Sequence, residues 1–184
     1  QNMKAILRQP KLLSDVRKDL LLLENQLPFF FLEGLYQEAF PADDVGNPSF
    51  AELSFEFFFS FNSQNLSPKS DDFRVYHFTD LLRLFHLPKE LPTRVRLGWS
   101  GNDVLLYSAK ELAEIDIKFV AGSMRRSPLD LRFSYEVLTV PTIWVDDNTA
   151  ILFHNMITFE QCHYLGQHYF SDYAVLLNCL INSQ

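Results

Sequence analysis

The chain has 184 residues, 47% of them hydrophobic, and a net charge of −7. That length suits one domain or a large part of one. The acidic balance argues against a general nucleic-acid binder, which carries a basic stripe, and against peripheral adhesion to anionic lipid. Phenylalanine stands out, with 18 residues against 2 Trp and 7 Tyr. So many rings either build a thick core or leave apolar surface for a partner. Arg125-Arg126 is a doubled basic site that reads as a solvated loop. Two cysteines, Cys162 and Cys179, make no disulfide framework and read as reduced core thiols. The chain starts at Gln1 and stops just after an amphipathic run, so both ends look cut. Residues 1–184 are therefore expected to be part of a single larger domain. They contain no signal peptide and no run near the ~18 apolar residues of a membrane span.

Taken in order, residues 1–11 read as a connecting segment. Leu13, Val16, Leu20, Leu23 and Leu27 then recur at helical spacing, with Asp15, Arg17, Lys18 and Asp19 on other faces. Pro28 either kinks this helix or sits in the first turn of a second one. There Phe29, Leu32, Tyr36 and Ala39 share a stripe. The stretch Asp19–Tyr36 is the most apolar of the chain yet carries Glu24-Asn25-Gln26. Unpartnered burial of those groups would cost about 1–3 kcal/mol each. It is therefore expected to be the hub of the fold, packed through Leu20, Leu23, Leu27, Phe29 and Leu32. Asn25 and Gln26 would tie down backbone groups that Pro28 leaves unpaired. With Phe30 in this core, Phe30→Ala would cost roughly 3–5 kcal/mol.

Ser49-Phe50-Ala51-Glu52 is a capping box that opens a helix bearing Phe50, Leu53, Phe57 and Phe61 on one face. Residues 62–72 read as a loop, and 79–87 as a short helix closed by Pro88. Residues 89–103 read as an exposed connection. Ser108-Ala109-Lys110-Glu111 is a second capping box. The period then changes to alternation at Ile115, Ile117 and Phe119, and again at Leu129, Leu131, Phe133 and Tyr135. Residues 137–145 are β-branched and aromatic, and Pro141 within them indicates an edge strand or a bulge. Asp146-Asp147-Asn148 is a turn, and Thr149 is placed to cap a helix with Leu152, Met156, Phe159 and His163 on one stripe. Ser171 or Asp172 starts the last helix, faced by Tyr173, Leu176, Leu177, Leu180 and Ile181. The expected class is α+β, predominantly α-helical. Helices pack around a central apolar helix pair, with a small antiparallel β-element near residues 117–145.

Few constellations point to chemistry. Glu160, Cys162, His163 and His168 are metal-ligand types, but no two-ligand zinc spacing is present, and a core helix with a satisfied His163 is the simpler reading. Asp146, Asp147 and Glu160 are carboxylates that a hydrolase could use, although Asp-Asp before a helix more often makes a turn and a cap. Cys162 and His163 are sequence neighbours and point to different helix faces. Six glycines form neither a dinucleotide nor a P-loop spacing. Asn65-Leu66-Ser67 is a formal glycosylation sequon followed by Pro68. No catalytic, cofactor-binding or metal residue is therefore assigned, and no cofactor is expected.

Several stretches read together: DLLLLENQLPFFFLEGLY at 19–36, AKELAEIDIKF at 109–119, LDLRF at 129–133, VLTVPTIWVDDNTAILFHNMITFEQCH at 137–163 and SDYAVLLNCLINS at 171–183. In order and spacing they resemble the plant "domain of unknown function 247" family across most of residues 13–183. The family commonly has glycine where this chain has Asp116, and a glycine turn where it reads Ser134-Tyr135-Glu136. Glycine there adopts positive φ at little cost, so the tightness of both turns is in question. The resemblance implies a longer, membrane-associated plant protein with a transmembrane segment near its C-terminus, beyond this fragment. Some grass relatives are implicated in self-incompatibility. The expected function is thus non-catalytic recognition at the plasma membrane, through protein partners and without nucleic acid. The alternatives are a hydrolase built on Asp146, Asp147 and Glu160, and a structural remnant.

Overall fold

The computed structural model describes residues 10–40, 47–68, 74–88, 107–123 and 127–181. Its helices are α1 (Pro10–Asp19), α2 (Phe29–Ala39), α3 (Phe50–Phe57), α4 (Phe78–His86), α5 (Ala109–Glu114), α6 (Asp147–His163) and α7 (Tyr169–Ile181). Three strands, β1 (Lys118–Gly122), β2 (Arg132–Ser134) and β3 (Val137–Pro141), lie between α5 and α6. The class is the predominantly helical α+β expected. One compact unit takes Gln1–His86 with Trp144–Phe159, and a second takes Leu87–Ile143 with Glu160–Gln184.

In the first unit, α1 stops at Asp19 although the apolar spacing runs on to Leu27. The reason is the amide pair. Gln26 Nε2 donates to the Leu20 and Leu22 carbonyls, both at 2.8 Å. Asn25 Nδ2 donates to the Asp19 carbonyl at 3.0 Å. The last carbonyl of α1 and two carbonyls of the turn that follows are thereby satisfied by side chains, and the backbone passes through the short 3-10 helix Leu23–Asn25. Gln26 Oε1 accepts from the Thr79 amide at 3.0 Å, tying the turn to α4. The expected role of Asn25 and Gln26 holds, but the groups they satisfy belong to the end of α1 and the turn that follows rather than to a break at Pro28. Pro28 is the N-cap of α2, and the Phe29 amide reaches the Tyr76 carbonyl at 2.6 Å.

Phe29 is buried and joins Phe50, Phe58 and Phe78 in an aromatic cluster. Its ring centroid lies 5.0 Å from Phe50 and 6.1 Å from Phe78, and Phe58 lies 5.2 Å from Phe78. Tilted and edge-on pairs of this kind add to area burial. Leu81, Leu82 and Phe85 complete the core from α4. The packing surface expected of the 19–36 stretch is revised in detail. Leu21 and Phe29 are the buried members, Leu20, Leu23 and Leu32 are half-buried, and Leu27 is exposed. Phe30 is 76% exposed, so it is not core. Three consecutive rings on a helix, stepped by about 100° each, cannot all face inward. Ser49 caps α3 as read: its Oγ accepts from the Glu52 amide at 3.1 Å, and Glu52 Oε2 accepts from the Ser49 amide at 2.9 Å. Leu152, Met156 and Phe159 are the buried stripe of α6, with the Phe159 ring 4.7 Å from that of His77.

In the second unit, Ser108 and Glu111 form the other capping box at the start of α5. At its end, the Ile117 amide donates to the Leu112 carbonyl and the Asp116 amide to the Ala113 carbonyl. This pair of bonds is the Schellman closure, which needs a left-handed residue. Asp116 supplies it with φ 65°. The sheet has the order β1-β3-β2, with β1 parallel and β2 antiparallel to β3. The sheet is therefore mixed rather than purely antiparallel, and β3 is central rather than an edge. Pro141 is compatible with that because it is the last residue of β3, where its missing N–H interrupts no further pairing. Between β2 and β3, Tyr135 and Glu136 have φ 49° and 62°, a two-residue turn of the type that favours Asn-Gly. Of the positions flagged for absent glycines, Asp116, Tyr135 and Glu136 are left-handed, and Ser134 is the last residue of β2. The α7 helix begins at Tyr169, earlier than Ser171, and packs on α5. It buries Phe170, Tyr173 and Leu180 and leaves Ile181 exposed.

Candidate functional site

Two of the carboxylates weighed for hydrolysis, Asp146 and Glu160, are engaged with backbone. Asp146 Oδ1 accepts from the Asn148 and Thr149 amides at 3.0 and 2.9 Å, and from the Thr149 hydroxyl at 2.9 Å. Thr149 Oγ1 in turn accepts from the Asp146 amide at 2.9 Å. Asp146, not Thr149, is therefore the cap of α6, with Thr149 as its reciprocal partner. Desolvation pushes the Asp146 carboxyl up, but the hydrogen bonds from Thr149 and Asn148 outweigh it and hold the group below its ordinary value. Asp147 begins α6, and its side chain lies outside the described residues. Glu160, near the other end of α6, is fully buried, and its Oε2 accepts from the Phe170 amide at 2.8 Å, in the first turn of α7. A carboxylate there satisfies an amide that has no helical partner and complements the helix dipole.

The metal-like cluster is not assembled. Cys162 and His163 are exposed, which removes His163 from the apolar stripe and Cys162 from the core. Cys179 is half-buried, and both thiols are free. His168 Nε2 accepts from the Gly166 amide at 3.3 Å. Among the described residues no group of three His, Cys, Asp or Glu could hold a metal ion. Asn65 lies in an exposed turn with φ 51°. Arg125-Arg126 and the connection 89–103 lie outside the described residues.

Two surfaces of the first unit bear on binding. On α2, Phe31 and Leu35 are one turn apart, as are Phe30 and Gly34. Phe30, Phe31 and Leu35 are 76%, 48% and 53% exposed, with Leu27 at 50% just before the helix. Gly34 has no fold-imposed reason to be glycine, since a Cβ there would meet nothing within 4 Å. It lowers helix stability by about 1 kcal/mol relative to alanine. The second surface is a cleft of about 610 Å³ whose apolar lining includes Val16 of α1, Leu20 just after it, Leu53 and Phe57 of α3, and Phe78 of α4. Its polar lining residues are Arg17, Ser54 and Glu56. The Arg17 guanidinium carbon stands 5.1 Å from the Phe57 ring centroid. Its Nε is sealed from solvent without a hydrogen-bond partner.

The sequence reading placed Arg17 on a polar face. A cation one turn from Leu13 and Leu20 in an otherwise apolar stripe was the available signal. The exposed face of α2 was foreshadowed by the FFF run itself.

The fold is helix-dominated with a small mixed sheet, and the stretch around Gln26 and Pro28 carries the resemblance noted in the sequence. The family model described as "Plant protein of unknown function", DUF247, matches residues 1–184, and the chain belongs to that family. It is 30% identical over 197 residues to UPF0481 protein At3g47200 of Arabidopsis thaliana, an alignment covering 95% of this chain. The chain spans 40% of that relative's length. No solved structure matches it. Among the described residues no helix is long and apolar enough to cross a membrane.

Proposed function

We propose that this chain is a non-catalytic recognition module of a plant protein held at the plasma membrane by a hydrophobic segment outside these residues. The membrane half of this reading, and a recognition role of the kind implicated in self-incompatibility, come from the family resemblance. The observation that carries the recognition half is the outer face of α2. Phe30, Phe31 and Leu35 on it, and Leu27 just before the helix, are about half or more exposed. Single exposed leucines are ordinary, but a cluster on one face marks an interaction surface. A glycine that the fold does not require sits on that face and would let a partner backbone approach closely. The partner class is a protein presenting an apolar helix.

The test uses the full-length protein in its native tissue, by proximity labelling of wild type and Phe30→Glu. The exposed position predicts an unchanged melting temperature for the variant together with loss of specific labelled proteins. Identical labelling by two equally folded proteins would refute the α2 reading. Recovery of the wild type in the soluble fraction after membrane pelleting would refute the anchoring half.

A further inference from the structure

We infer that the cleft bordered by α1 and α3 binds a small amphipathic carboxylate, with Arg17 as the anion contact and the phenylalanine walls around the hydrocarbon. The volume of about 610 Å³ falls within the ~300–1,000 Å³ of small-molecule sites, which are mostly apolar with a few placed polar groups. This cleft fits that description residue by residue. Leu20, Leu53, Phe57 and Phe78 supply apolar wall. Ser54 is already committed, since its Oγ donates to the Phe50 carbonyl at 2.7 Å.

Arg17 is different. It makes neither a hydrogen bond nor an ion pair with any described residue, although its Nε is buried. Buried donors in folded proteins are nearly always paired, and the terminal guanidinium nitrogens, which are not sealed as Nε is, are the ones open to a ligand in the cleft. The Phe57 ring, 5.1 Å away, contacts the cation without accepting in-plane N–H groups. A carboxylate matches the guanidinium edge in both geometry and charge. Glu56 also borders the cleft and does not pair with Arg17. It is exposed, so water and salt screen its repulsion of an anion. The inference stands apart from the recognition reading, which rests on the outer face of α2.

The experiment is calorimetric titration of the full-length protein with decanoate, dodecanoate, tetradecanoate and dodecanol, all below micelle formation. Dodecanoate is expected to bind at least about tenfold more tightly than dodecanol, the worth of a charge-assisted hydrogen bond. Affinity should rise about threefold to fourfold per methylene along the acid series. Arg17→Met should reduce dodecanoate to the affinity of dodecanol and leave dodecanol unchanged, which a merely structural role would not do. Equal binding of acid and alcohol to the wild type overturns the inference, as does no binding of either. Persistence of the acid preference in a folded Arg17→Met protein overturns it as well. The wild-type comparison decides the matter alone if the variant does not fold.

Discussion

Gln26→Met tests the hub most directly. The change keeps side-chain length and volume while removing every hydrogen bond the amide makes. Two carbonyls, of Leu20 and Leu22, and one amide, of Thr79, lose a partner at 2.8, 2.8 and 3.0 Å. All three bonds are partly buried, so water replaces the lost partner only in part. At about 1 kcal/mol for each net hydrogen bond, the expected loss is about 3 kcal/mol. For a protein of this size that is roughly 6–12 °C in melting temperature. Asn25→Ala is the control, because its bond to the Asp19 carbonyl is solvent-exposed and its loss should cost no more than about 0.5–1 kcal/mol. Urea denaturation followed by far-UV circular dichroism measures both. If Gln26→Met costs no more than Asn25→Ala, the amide is not the tie between the end of α1 and the start of α4.

Glu136→Gly should raise stability by about 1 kcal/mol, because a non-glycine residue at φ 62° is strained and the turn has no use for its Cβ; a lower urea midpoint would contradict the turn assignment. Phe29→Ala should cost roughly 3–5 kcal/mol and Phe30→Ala less than about 0.5, a contrast that thermal melts resolve and that equal values would overturn. His86 is buried, which lowers its pKa from 6.5 against the opposing hydrogen bond from Nδ1–H to the Leu82 carbonyl. The unfolded chain then binds the proton more readily, so this contribution is present in full above 6.5 and is lost as pH falls below it. Urea midpoints from pH 7.5 to 5 should fall more steeply for wild type than for His86→Gln, and parallel slopes would remove His86 as the cause.

What the sequence determined by itself is local. Both capping boxes were legible because Ser49 with Glu52, and Ser108 with Glu111, close hydrogen bonds over three residues whatever lies around them. The left-handed turns at Asp116 and Tyr135-Glu136 were flagged only through the family resemblance, which implies glycine there; the residues of this chain do not announce them. Which amides would work as caps inside Asp19–Tyr36 was also visible, from the cost of burying Asn25 and Gln26 unpaired.

The tertiary structure decided what depends on distant neighbours. Helical spacing placed Phe29 on the inward stripe, but it did not show that Phe30 is left outside, because that is set by Phe50 and Phe78 closing on Phe29. Alternation marked strands but not their order, and Pro141 suggested an edge strand or a bulge where β3 is central, with β1 paired beside it in parallel. Glu160 and Arg17 are the clearest cases. A single letter in an apolar stripe does not reveal that one is held by the amide of Phe170, ten residues on, while the other is left with a buried nitrogen and an aromatic cleft in front of it. Burial sets the energetic weight of a polar group, and burial is a property of the assembled fold.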